Sequence, residues 1–183
     1  MILFENTPYR SDKDLVEAYN SFMRIVPDDA WVLFRDADTL FLDSFYGKQI
    51  EETILRYDNI ECFTAVTNRI YRPEQLHKDK YDGDDIKFHR NIATQLKNKY
   101  GTRCEKYPDV GLMSGFCFLL KKTAWKKIGG FKPWHKNQSK MLGVDNQLHK
   151  DLKEHGIDVM IMKGLYVYHW YRGGDAKKTD HLK

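Results

Sequence analysis

Two hydrophobic periods alternate along this chain, and the switches between them predict its elements. Residues 2–4 form a short apolar run ending in Glu5-Asn6-Thr7-Pro8, a strand followed by a loop. Across residues 13–25, Leu15, Ala18, Tyr19, Phe22 and Met23 share one helical face, with Ser11 or Asp12 placed to cap it. After the turn Pro27-Asp28-Asp29, residues 31–35 read as a central strand and 44–57 as a helix built on Phe45, Ile50, Ile54 and Leu55. A strand at 62–67, a charged loop at 78–85 and a helix at 88–100 stopped by Gly101 follow. Residues 111–122 read as a buried strand, 123–128 as a short helix ended by Gly129-Gly130, and 144–155 as a helix closed by Gly156. Two strand-like pieces, 158–161 and 165–168, precede a polar tail from Gly173. Strands alternating with helices predict a layered α/β fold with a mostly parallel sheet.

Composition narrows the class. The 183 residues suit one domain, expected over 1–172, with 173–183 as a mobile tail. Hydrophobic residues make up 42% and charged residues 31%, a globular balance. No apolar run approaches the ~20 residues that cross a bilayer, and the start lacks a signal-peptide pattern. Cys62, Cys104 and Cys117 are widely spaced, which predicts reduced thiols and a cytoplasmic protein. The net charge of +4 admits an anionic substrate, but scattered Lys and Arg give no nucleic-acid footprint.

The chemistry concentrates at Val32 to Asp43, VLFRDADTLFLD. An apolar strand runs into Asp36 and Asp38 with only Ala37 between, and alternate residues of an extended segment point to one side. Two hard carboxylates at a strand's C-terminal end suit Mg²⁺ or Mn²⁺, where open α/β sheets place ligands. A strand-ending Asp also serves turns, but the apolar run Leu40 to Leu42 that follows argues against a simple solvated face. Far downstream, His169 ends another apolar strand in GLYVYHWYR, with Arg172 close behind as a planar cation suited to phosphate. Tyr166, Tyr168, Trp170 and Tyr171 read equally as core or stacking surface. Asp145, at a helix start, is either a dipole-favoured carboxylate or a group for an acceptor hydroxyl.

Together these motifs resemble the GT-A glycosyltransferases, close to the large family two group. Asp36-Ala37-Asp38 resembles the DxD element. Ser114-Gly115 followed by Trp125-Lys126-Lys127-Ile128-Gly129-Gly130-Phe131 is similar to the acceptor-side strand, helix and "iGGF" turn. GVDNQLHKDL, Gly143 to Leu152, resembles the helix whose first acid faces the acceptor, and His169 to Arg172 resembles the ending that supplies a third metal ligand. The resemblance implies a Rossmann-like three-layer fold and a Mn²⁺- or Mg²⁺-dependent hexosyltransferase. Such an enzyme moves a sugar from a nucleotide diphosphate, UDP rather than GDP, to a hydroxyl on a glycan, lipid-linked sugar or protein. It implies Asp36, Asp38 and His169 at the metal and Asp145 as base. Thr7, Pro8, Tyr9, Arg10, Lys13, Asn20, Asp36, Ala37, Asp38 and Arg172 would lie around the donor, and Ser114, Gly115, Trp134 and Trp170 on the acceptor side. A tail carrying Lys177 and Lys178 would close over the diphosphate.

The chain departs from that pattern in its short N-terminal half, in Val144 where Glu is common, and in Lys150 or Lys153 for the usual Arg. Two other readings stay open. Trp134, Tyr166, Tyr168 and Trp170 would serve a non-catalytic sugar- or sugar-nucleotide-binding module. Asp36-Ala37-Asp38-Thr39 also echoes the nucleophile loop of haloacid-dehalogenase-type phosphatases, although Gly83-Asp84-Asp85 sits in a charged loop and does not supply their downstream acidic motif.

Overall fold

Seven strands and five helices are seen in the computed structural model, which describes residues 2–77, 83–135 and 138–170. In chain order they are β1 (Leu3–Asn6), α1 (Leu15–Ile25), β2 (Trp31–Arg35), β3 (Thr39–Phe41), α2 (Tyr46–Arg56) and β4 (Cys62–Thr67). A 3₁₀ turn (Pro73–Gln75) follows, then α3 (Ile86–Tyr100), β5 (Cys104–Lys106), β6 (Cys117–Lys121), α4 (Lys122–Lys127), α5 (Val144–Glu154) and β7 (Val159–His169). Arg172, Tyr171, Lys177 and Lys178 lie outside the described residues.

The strands form one sheet in the order β1-β2-β6-β4-β7-β3, with β5 also on β7. It is mixed, not mostly parallel. Only β1–β2 and β4–β7 pair parallel, whereas β6 runs antiparallel between β2 and β4, and β3 and β5 run antiparallel to β7. Alternating strands and helices predict crossovers but not the direction in which a strand enters after a long loop, and β6 enters reversed.

Period-two alternation divides the core. Val32, Phe34, Phe118, Leu120, Val159 and Ile161 face one cluster with Met23 of α1, Ile92 and Leu96 of α3, Ala124 of α4 and Leu148 and Leu152 of α5. Trp31, Leu33, Phe63, Leu119 and Val167 face the other, against Ile50 and Ile54 of α2. With both faces covered, β2 is buried from Trp31 to Phe34 and β4 along its whole length. The three cysteines are free and buried, and burial pushes their thiols up, that of Cys104 to about 12.

Boundaries moved where side chains took over backbone bonding. α1 is capped by Asp14, whose carboxylate accepts from Glu17 N, not by Ser11 or Asp12. Residues 111–116 do not join β6. The backbone N–H groups of Met113, Ser114 and Gly115 donate instead to the side chains of His149, Gln75 and Asp145. The two pieces near the C-terminus are one strand, β7, whose register against β4 shifts between Ala65 and Val66. Gly164 lies at that shift, and a Cβ there would sit 2.1 Å from the Gly101 carbonyl oxygen. Gly164→Ala is expected to destabilise the fold by about 3 kcal/mol, because a backbone group must move to admit the methyl. Urea unfolding should show a lower midpoint at unchanged slope.

Candidate metal centre

The turn from β2 to β3 presents the acidic pair. Asp36 N donates to Phe116 O at 2.9 Å, and Thr39 closes the turn onto Asp36 O through its N–H (3.2 Å) and hydroxyl (2.7 Å). β3 then runs antiparallel to β7 with Thr39 opposite His169, and Trp170 N donates to Asp38 O at 2.9 Å. The end of β7 is thereby delivered to the turn.

His169 is held from two sides. Its backbone N donates to Asn68 Oδ1 at 2.8 Å, and its Nδ1 lies 3.0 Å from Arg69 O. A carbonyl oxygen only accepts, so Nδ1 carries a proton, and in the neutral tautomer that this fixes the Nε2 lone pair faces the acids. Nε2 is 3.3 Å from Asp38 Oδ1 and 3.9 Å from Asp36 Oδ2. One ligand atom from each of the three residues lies within 4.8 Å of the others. Metal–oxygen bonds of about 2.1 Å put adjacent octahedral ligands about 3 Å apart and opposite ones about 4 Å, so the three atoms need only small rotations to share one ion. A lone pair aimed at two carboxylates is unfavourable by itself. Protonation of Nε2 or a divalent cation relieves it, and two carboxylates with one imidazole suit Mn²⁺ or Mg²⁺.

The ring is anchored and the acids are accessible. His169 is 4% exposed and stacks on Phe116 at 5.4 Å, whereas Asp36 and Asp38 are 48% and 42% exposed. Solvent reaches one side of Asp36 while protein packs the other. That burial pushes its carboxyl up to about 6; His169 opposes the rise, and Asp38 and Asp145 add to it.

No family model matches the chain, and no curated protein matches it.

Asp145 stands at the head of α5, after Gly143 in the left-handed region at φ 80°. Its Oδ2 accepts from Gly115 N and its Oδ1 from Asn146 N, both at 2.8 Å. Burial raises its carboxyl, and those N–H groups pull the other way. Gly115 has to be glycine, since a Cβ would lie 2.8 Å from Asp145 Cβ. Its neighbour Phe116 bonds Asp36 and stacks on His169, so Asp145 and the cluster share one support. Ser114 is fixed through its backbone by Gln75, and Trp134 packs over Gly143, where a Cβ would come within 2.9 Å of its ring. Trp170 is half-buried beside the acidic turn.

Thr7, Pro8, Tyr9 and Arg10 leave β1 at the same sheet edge as Asp36, because β1 parallels β2 with Asn6 beside Phe34. Arg10 is bound to Asp12 there, and Lys13 is exposed. Asn20 is committed elsewhere. Its oxygen accepts from Trp125 Nε1 and Phe131 N and its amide donates to Phe131 O, tying α1 to the Gly129-Gly130 turn. These bonds give Asn20 a structural role between α1 and that turn. Sequence reasoning missed Asn68, Arg69 and Gln75, whose types at a strand end looked like ordinary loop polarity, and Arg72, which donates to Asn146 beside Asp145 at 3.2 Å. It also missed Asn6, whose buried Oδ1 has no partner among the described residues.

A cation competes with protons for Asp36. Mn²⁺ affinity should fall about tenfold from about pH 7 to about pH 5 as that carboxylate protonates, and level off above neutrality. Titration calorimetry across that range reads it directly.

Proposed function

We propose that this chain is a metal-dependent glycosyltransferase of the GT-A kind, moving a sugar from a nucleotide diphosphate, preferentially UDP, to a hydroxyl acceptor. The observation that carries this reading is the convergence of Asp36, Asp38 and His169 at the C-terminal ends of β2 and β7. Such an ion, held by these three residues, would neutralise charge on a departing diphosphate.

The surrounding residues fit that division of labour. The segment Thr7–Arg10 follows β1 at the nucleotide side. Asp145 lies across the Gly115–Phe116 support on the acceptor side. Its raised carboxyl makes it a better proton acceptor than an ordinary aspartate. There it would align the acceptor hydroxyl and take its proton, and Trp134 and Trp170 offer apolar faces for a sugar ring.

UDP binding should require Mn²⁺, and both Asp38→Ala and His169→Ala should lose it while still folding, with Asp38→Ala keeping the wild-type unfolding transition. UDP binding that is equally tight with chelator present would sink the metal reading. With a panel of UDP-sugars and water as the default acceptor, Asp145→Asn should lower turnover about 10²–10⁴-fold with little change in donor affinity. Equal loss of both would make Asp145 a positioning group. Release of phosphate from an aryl phosphate would point instead to the phosphatase chemistry that the acidic loop also echoes.

A further inference from the structure

The charged loop Gly83-Asp84-Asp85 has no part in the reading above, yet its bonds lead to the metal ligand. Asp84 Oδ1 accepts from Arg69 Nη2 at 2.6 Å and from Tyr168 OH at 2.7 Å. Arg69 Nη2 also donates to Gly83 O at 3.1 Å, and its guanidinium lies 6.0 Å from the Tyr168 ring centre. Gly83 O is held a second time by fully buried His89. The His89 Nε2 lies 2.8 Å from that carbonyl, so it carries the proton, and its Nδ1 accepts from Tyr166 OH at 2.8 Å. The loop is thus fastened to two tyrosines of β7 and to Arg69. The Arg69 carbonyl accepts the Nδ1 proton of His169.

We infer that Asp84 is a positioning residue for His169, acting through Arg69. The inference rests on the metal reading of the Asp36, Asp38 and His169 cluster. The side chain of Arg69 is only 11% exposed, so its guanidinium needs an acceptor oxygen to stay where it is. Asp84 supplies one and fixes the backbone of residue 69. That backbone sets the imidazole tautomer and aims Nε2 at the acids. The link reaches the ring from a part of the chain remote in sequence from the acidic pair.

Mn²⁺ titration of the full chain tests this, together with long-range ¹H–¹⁵N spectra of the His169 ring in mildly alkaline buffer. Asp84→Ala should weaken Mn²⁺ binding about tenfold and turn the Nδ1–H ring signature into a mixture of tautomers. Asp84→Asn, which keeps an acceptor oxygen for Arg69 and Tyr168, should restore most of both. It also provides the same readouts if the alanine variant fails to fold. Unchanged Mn²⁺ affinity and an unchanged ring signature in Asp84→Ala would overturn the inference. So would weaker binding with the signature intact, because the effect would then bypass the imidazole. If the wild-type chain bound no Mn²⁺, the metal reading would fall, and the ring signature alone would decide whether Asp84 positions His169.

Discussion

The antiparallel pairing of β3 with β7 is the constraint on which the rest of this site depends. Three residues of β3 are enough to place Thr39 opposite His169, and the acidic turn is the segment immediately before them. Because side chains alternate across a strand, a slip of one residue would turn the imidazole to the opposite face of the sheet. The pairing does not act alone. Trp170 N on Asp38 O and His169 N on Asn68 Oδ1 extend the ladder beyond its regular bonds, pinning the register on both flanks.

That arrangement concentrates negative charge against a protein wall. Burial raises the cost of ionising Asp36 and Asp145, and the charges of Asp38 and Asp145 add to it for Asp36. A core of Tyr19, Phe34, Phe118 and Phe131 packs directly behind, with ring centres 4.6 Å to 6.2 Å apart in the closest pairs. Tyr19 is buried there and its hydroxyl is pushed well above its ordinary range, first by burial and then by Asp36 and Asp145. The aromatic wall supplies rigidity but no counter-charge.

Much of this was legible in the chain, for reasons that differ by element. β2 and β4 were readable because short segments dominated by apolar residues need cover on both faces. The helices were readable to within two or three residues at their ends, since α1, α2, α3 and α5 each show one apolar stripe. The acidic pair and His169 could be singled out as candidates because each ends an apolar strand. Their proximity could not be read from spacing, because it depends on a pairing between Thr39 and His169 that leaves no local signal. The mixed sheet was illegible for the same reason. β5 escaped because Cys-Glu-Lys carries no alternation long enough to register. Residues 111–116 misled by being apolar while their N–H groups belonged to side chains of other elements.

The segment Met113–Phe116 shows why such an irregular stretch is worth its cost. Backbone donors that a strand would have spent on a neighbour are given to Gln75, His149 and Asp145, each from a different part of the chain. His149 accepts from Met113 N through Nδ1, and burial lowers its pKa to about 4, with Lys153 and Arg72 contributing, so the ring stays neutral and keeps its lone pair at physiological pH. Gln75 bonds both the N–H and the carbonyl of Ser114 and reaches Thr64 of β4 with the same amide. The result is a rigid stretch held by side chains, with Asp145 on one side of it and Asp36 and His169 on the other. Regular β-structure would have satisfied the same donors, but it would have left α5 without its bond to the sheet and Asp145 without a fixed relation to the cluster.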